Sequence, residues 1–325
     1  MHVARAVDTA LDRSIAVGYS KIGLEIRRRL PGWPADPPRM DGKVALVTGA
    51  ASGIGLASCR GFARLGATVL PVARSQGRAE EAKAAILAVV PGADVRPLAC
   101  DVSDLAELRA FTEQLERTEA RLDVLVNNAG SMPEERRHSA DGVEVMFATH
   151  VLAPFVLIAR LRDLLARSAP SVVINVSSGG MYSQRLPGDD LQSEQAAYSP
   201  PKIYARTKRE QVVITEEWAA RLRGTGIAVH AMHPGWVDTK GVQDALPMFR
   251  TLVGPVIRDL DAGADTVVWL GAAPQARAAT GGFWHDRRER PTHYLLGAGR
   301  ESEGDRQRLW DLCCSLMGEG APQSA

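Results

Sequence analysis

The stretch "KVALVTGAASGIG", residues 43 to 55, decides the fold. Val44 to Thr48 form a short apolar run with no polar face, which reads as a strand buried on both sides. Gly49, Gly53 and Gly55 in "TGAASGIG" let the backbone turn tightly and approach a bound group closely. "IGLASCRGFARLG" then continues as a helix. The free N–H groups and dipole at a helix start favour an anion such as a pyrophosphate. Strand, glycine-rich turn and helix, in that order, are what a dinucleotide site requires.

The same alternation extends outward. "ATVLPVAR", "ADVRPLACDVSD", "LDVLVNNAG", "SVVINVSSGG" and "IAVHAMHPG" read as further strands, with helical stretches between and after them. Strands apolar on both faces and alternating with helices imply an α/β fold, a doubly wound parallel sheet of the Rossmann type. One such domain is expected over 41–300, followed by a C-terminal helix and tail over 301–325. There is no internal repeat.

Residues 1–40 differ in character. Leu11, Ile15, Tyr19, Ile22, Ile26 and Leu30 recur at steps of three and four, predicting one amphipathic helix. "PGWPADPPRM", residues 31–40, reads as a stiff linker. Arg27, Arg28 and Arg29 would suit an anionic membrane surface. Packing of the helix on its own domain or a partner is the favoured alternative. The segment holds no motif residue and is expected to be separable from cofactor binding.

Composition sets further bounds. The 325-residue chain has a formal net charge of +1, which gives no reason to expect nucleic acid. Its four cysteines form no Cys-x-x-Cys pair, which suits a reduced compartment. No apolar run stands out as long enough to span a bilayer, and no signal-peptide core is seen, so a cytoplasmic location is expected. Peripheral membrane contact through the first helix and assembly into a homo-oligomer are left open. His230 and His233, at odd spacing on a strand, face opposite ways, and no metal site is expected.

"AAYSPPKIYARTKRE", residues 196–210, contains Tyr-x-x-x-Lys twice. Tyrosine and lysine four apart on a helix share a face, where the cation can stabilise a phenolate. Pro200 and Pro201 lie between Tyr198 and Lys202. A proline disfavours helix in the residue before it, so Ser199 and Pro200 should be extended. That would separate Tyr198 from Lys202 by on the order of 10 Å or more. The helix is expected to start at Pro201, leaving Tyr204 and Lys208 one turn apart within it.

Taken in order, the glycine turn, "NNAG" at 127–130, a serine after the fifth strand, Tyr204-x-x-x-Lys208 and "PGWVDT" at 234–239 resemble the short-chain dehydrogenase/reductases. The resemblance covers about residues 41 to 290. "SSGGM", "DLQSE", "KREQVV", "MHPGWVDT" and "GADT" are similar to its retinol-dehydrogenase-like branch. The resemblance implies a catalytic Ser178, with Ser177 turned the other way, a catalytic Tyr204 and its partner Lys208. It implies a cofactor cradle of Gly49, Ser52, Gly53, Ile54 and Gly55. Asn127, Ala129 and Gly130 would border the cofactor, Asp101 and Val102 would flank the adenine, and Pro234, Gly235, Val237 and Thr239 would lie along the nicotinamide. Tyr204 and Lys208 would also touch the cofactor.

The residue types suit the chemistry. A free tyrosine titrates near roughly pH 10. Lys208 and an oxidised nicotinamide would both lower that value, so Tyr204 could exchange a proton with a substrate oxygen. Ser178 would hydrogen-bond the same oxygen. Where the family often carries a relay asparagine, "MFATHVLAPF" has His150, which could donate and accept in its place. NAD enzymes usually carry an acid after the second strand, but "LPVARSQGR" has Arg74, whose guanidinium suits a 2′-phosphate. NADP(H) is therefore favoured, with NAD(H) the alternative.

The expected activity interconverts a carbonyl and an alcohol on a lipophilic substrate. "KGVQDALPMFRTLVGPVI", residues 240–257, would supply a lid or pack on the core. Epimerase or dehydratase chemistry on the same fold is open. So is a cofactor-binding regulator with little turnover, for which His150 is the favouring feature.

Overall fold

The computed structural model describes residues 2–195, 197–239, 254–294, 300–318 and 322. The apolar run after Lys43 forms β1 (Val44–Thr48), buried at every position. Around it lie β2 (Thr68–Ala73), β3 (Leu98–Ala99), β4 (Val124–Asn127), β5 (Ser171–Val176), β6 (Ile227–Met232), β7 (Phe283–His285) and β8 (Arg288–Arg290). They form one sheet in the order β3-β2-β1-β4-β5-β6-β7-β8. All pairs are parallel except β7 with β8. The order reverses between β1 and β4, so the carboxyl ends of these strands border the crevice in which such folds bind ligands.

Apolar helix faces cover both sides of the sheet. On one side α4 (Gly53–Arg64), α5 (Gln76–Leu87) and α10 (Leu260–Ala272) contribute Cys59, Phe62, Ile86, Val267 and Leu270 to the core. On the other, α6 (Leu105–Thr118), α8 (Ala153–Arg167), α9 (Pro200–Arg221) and α12 (Glu303–Met317) contribute Phe111, Phe155, Trp218 and Trp310. A short α11 (Pro274–Ala278) follows α10.

Several expectations change. The N-terminal segment is three helices, α1 (His2–Arg13), α2 (Ile15–Gly18) and α3 (Lys21–Arg29). Ser20 breaks the periodic stripe by capping α3, and a Cβ on Gly18 would collide with the Leu11 carbonyl. Leu11 and Tyr19 are buried as the period predicts, but Ile15 and Ile22 are exposed, and Leu24, outside the stripe, is buried. Of the three arginines, Arg27 is fully buried in ion pairs with Asp8 and Asp286. Arg28 and Arg29 pair with Glu25.

The first turn of α9 begins one residue earlier than expected, at Pro200, with Ser199 extended at φ −139° and ψ 102°. Proline is tolerated there because first-turn N–H groups need no helical acceptor. The hairpin β7–β8, in the charged stretch "FWHDRRER", was not foreseen. An apolar helical run does exist, Val145–Arg167, with a mean hydropathy of 1.5 over its most apolar window, 78% of which is buried inside the fold. It starts as α7 (Val145–Phe147), passes through a π turn at Ala148–Leu152 and continues as α8.

Candidate active site

The glycine turn has the backbone its sequence implies. Gly49 and Gly53 have φ of +67° and +58°, and a Cβ on Gly49 would stand 2.7 Å from the Ala129 Cα. Gly55 lies so close to the Gly49 carbonyl that a side chain would collide with it. Ser52 is the N-cap of α4, but its side chain makes no capping bond, so donors of the first turn keep no partner from that side chain. Ile54 follows in the same turn. This cradle fits an anionic pyrophosphate.

Thr48 and Asn128, which sequence reading passed over, hold the cradle. Thr48 Oγ1 accepts from the Asn128 and Ala129 amides at 3.0 and 3.1 Å. Asn128 Nδ2 donates to the Thr48 carbonyl at 2.9 Å. The signal was the second asparagine of "NNAG". Asn127 faces the sheet interior, where its Nδ2 donates to Asn175 Oδ1 at 2.8 Å. Gly130 approaches His150 so closely that a Cβ would stand 3.2 Å from Nε2.

At the position expected to flank the adenine, Asp101 Oδ1 accepts from the Ser103 amide and hydroxyl at 3.0 and 2.7 Å. Val102 is buried beside it, and Arg74 is exposed just beyond β2. At the other end Gly235 has φ +80°, and Pro234 O accepts from Arg258 Nη1 at 3.1 Å. Val237 bridges to Arg258. A Cβ on Gly53 would meet the Thr239 methyl at 3.8 Å, so both ends of the motif series meet above the turn. The expected lid at 240–253 lies outside the described residues.

Ser178 ends the loop after β5 and caps a 3₁₀ turn at Gly179–Ser183 through the Gly180 amide, 3.2 Å away. Ser177 is turned away, its hydroxyl donating to the Lys208 carbonyl at 2.9 Å. Burial raises the Tyr204 pKa above 10, while the neighbouring Ser178 hydroxyl lowers it. Lys208 is four residues on, its Nζ 5.7 Å from the Tyr204 ring centre. That Nζ donates to Val176 O at 2.8 Å and to Gln211 Oε1 at 3.3 Å, not to the Tyr204 hydroxyl. Burial pushes its pKa down to about 7. The influence lowering the Tyr204 pKa is thus Ser178 rather than Lys208. Tyr198 lies outside the helix, where its hydroxyl donates to Pro133 O at 2.7 Å.

His150 sits in the π turn, fully buried and edge-on to Tyr204 with ring centres 5.3 Å apart. Its Nε2 accepts from the Ser131 amide at 3.1 Å. The neutral ring then carries its proton on Nδ1, which donates to Thr207 Oγ1 at 2.8 Å. Thr207 in turn donates to Tyr204 O at 2.9 Å. Burial, then the Lys208 charge, hold the His150 pKa well below 6.5. Both ring nitrogens are therefore engaged away from Lys208 Nζ and the Tyr204 hydroxyl. His230 is likewise held inside the fold, by Ala276 O and Trp284 Nε1.

The fold and the relatives it resembles make this chain an NAD(P)-dependent oxidoreductase. The chain belongs to the short-chain dehydrogenase family, whose family model, "short chain dehydrogenase", matches residues 43–248. It is 40% identical over 275 residues to dehydrogenase/reductase SDR family member 12 of Bos taurus, covering 84% of this chain and 86% of that one. It is 34% identical to human retinol dehydrogenase 14, covering 97% of this chain and 98% of the relative. Among solved structures, the Pseudomonas aeruginosa RhlG/NADP active-site complex is 25% identical, with a TM-score of 0.62 over 75% of this chain and 94% of that one.

Proposed function

We propose that the protein uses NADP(H) to interconvert a carbonyl and an alcohol on a lipophilic substrate, with Tyr204 as acid and base. The observation that carries this reading is that Ser178 acts on the Tyr204 hydroxyl, lowering its pKa, with Lys208 one helical turn away. The bound nicotinamide supplies the hydride transfer and, when oxidised, a positive charge. Tyr204 gives its proton to the substrate oxygen during reduction and takes one during oxidation. Ser178, beside the same hydroxyl, stabilises charge on that oxygen. Lys208, buried one turn away with its Nζ on Val176 O and Gln211 Oε1, completes the set beside Tyr204.

His150 serves this set by position. It ties the loop at Ser131 to the helical turn that carries Tyr204. Arg74, exposed at the end of β2 where no acid stands, supports NADP over NAD. The RhlG complex with NADP agrees. The lipophilic substrate is supported by the likeness to a retinol dehydrogenase. Long-chain and cyclic ketones, aldehydes and alcohols should be screened with both cofactors, following absorbance at 340 nm in wild type and Tyr204→Phe. Turnover abolished in Tyr204→Phe supports the reading. Equal turnover in both proteins removes Tyr204 from the chemistry.

A further inference from the structure

The N-terminal segment reaches the candidate active site through one side chain. Tyr19 lies between α2 and α3 and is 3% exposed. Its ring lies against Gly179, the residue after Ser178, so closely that a Cβ on Gly179 would collide with Tyr19 Cε2. On its other side the Tyr19 carbonyl accepts from the Trp236 amide at 2.8 Å. A Cβ on Gly235 would stand 2.6 Å from that carbonyl. The Tyr19 ring centre is 4.5 Å from that of His233 and 6.3 Å from that of Trp236. One residue therefore touches both the turn that carries Ser178 and the loop from Pro234 to Trp236.

The backbone beside Tyr19 is tied to the fold on two sides. The neighbouring Gly18 carbonyl accepts from Arg27 Nη1 at 2.7 Å and from Arg258 Nη2 at 3.1 Å. Arg27 and Arg258 both pair with Asp286, at 2.5 and 2.6 Å. These groups are buried and anchor α3 and residue 258 to the β7–β8 turn. The Tyr19 hydroxyl is buried toward Tyr294 and bonds neither the Ser178 turn nor the Pro234–Trp236 loop. Contact through the ring and the backbone carbonyl, rather than through the phenol, is what the segment contributes.

We infer that Tyr19 is a positioning residue, holding the Ser178 turn in register with Tyr204 and fixing the Pro234–Trp236 loop beside it. The first thirty or so residues are then a structural part of the active site, not a separable appendage. This rests on the reading of Ser178 and Tyr204 as the catalytic pair.

The test uses the full chain, with activity expressed per molecule that binds NADPH in a fluorescence titration. Variants are Tyr19→Phe, Tyr19→Ala, Gly179→Ala, the double Gly179→Ala/Tyr19→Ala, and Ser178→Ala. Tyr19→Phe should match wild type. Tyr19→Ala should lose about 10- to 100-fold in kcat, because a misplacement near 1 Å costs that much, with KM and the NADPH Kd changed less than about threefold. Gly179→Ala should lose a similar factor by pressing on the ring. The double variant should be more active than Gly179→Ala alone, since removing the ring relieves that clash. Wild-type kcat in Tyr19→Ala overturns the inference. If Tyr19→Ala does not bind NADPH, the glycine decides: wild-type kcat in Gly179→Ala overturns the inference, and loss with unchanged NADPH affinity supports it. Full activity in Ser178→Ala instead removes the catalytic reading on which the inference rests.

Discussion

Asp286 is the point on which the buried network turns. It lies 2% exposed at the tip of the β7–β8 hairpin and pairs with Arg27 at 2.5 Å and Arg258 at 2.6 Å. Asp286→Asn keeps the shape of the side chain. Its φ of +51° is one that asparagine also tolerates, so backbone strain should not change. What changes is charge: two buried guanidiniums lose their shared carboxylate. Breaking a buried pair from one side costs about 3–5 kcal/mol. Asp36, 91% exposed and 3.0 Å from Arg287, is the control, and Asp36→Asn should cost below about 1 kcal/mol. Urea unfolding followed by tryptophan fluorescence at pH 7 measures both. The arginines and His285 hold the Asp286 carboxyl below its ordinary 3.8 against the opposing effect of burial. A carboxyl depressed in this way stabilises the fold fully above its unfolded value, near 3.8, and loses that contribution as the pH falls. The gap between wild type and Asp286→Asn should therefore be widest above pH 4 and narrow in acid. A gap under about 1 kcal/mol at pH 7 would refute the idea that this network holds the N-terminal segment in place.

Three further outcomes follow from the site and core. Arg74→Ala should weaken NADPH binding by about ten- to a hundredfold, from a lost charge-assisted contact, and leave NADH binding nearly unchanged; equal losses for both cofactors place Arg74 outside the phosphate site. Glu210 is fully buried with neither carboxylate oxygen hydrogen-bonded among the described residues, and burial raises its pKa well above 4.5. Wild type should therefore lose stability as pH rises from about 4.5, and Glu210→Gln should gain about 1–3 kcal/mol at pH 8; urea midpoints that stay parallel between pH 5 and 8 count against this. His150→Asn should leave the acidic limb of the pH–rate profile in place, because burial and Lys208 already keep the ring neutral there. Disappearance of that limb in the variant would return His150 to a proton relay.

Local rules sufficed for the parts of this protein whose neighbours in space are also neighbours in sequence. The strand–turn–helix at 43–64 was legible because glycine backbone geometry and helix-start donors are local properties. The choice of Tyr204 over Tyr198 was legible because a proline pair acts on the residues beside it, and Tyr198 does lie outside α9. Contacts across long stretches of chain were not legible. Arg27 looked like part of a solvent-facing basic run, yet it meets Asp286, 259 residues away, in the buried interior. The β7–β8 strands were hidden because a short, charged hairpin at a sheet edge carries no apolar period. The preference of Lys208 for Val176 O and Gln211 and the bonding of both His150 nitrogens were set by which elements pack together. Burial then moved their pKa values in a way no spacing rule contains. Spacing along the chain determined which side chains could share a helix face or a strand end; tertiary packing alone decided which were desolvated, which were paired, and that Tyr19 lies against the turn that carries Ser178.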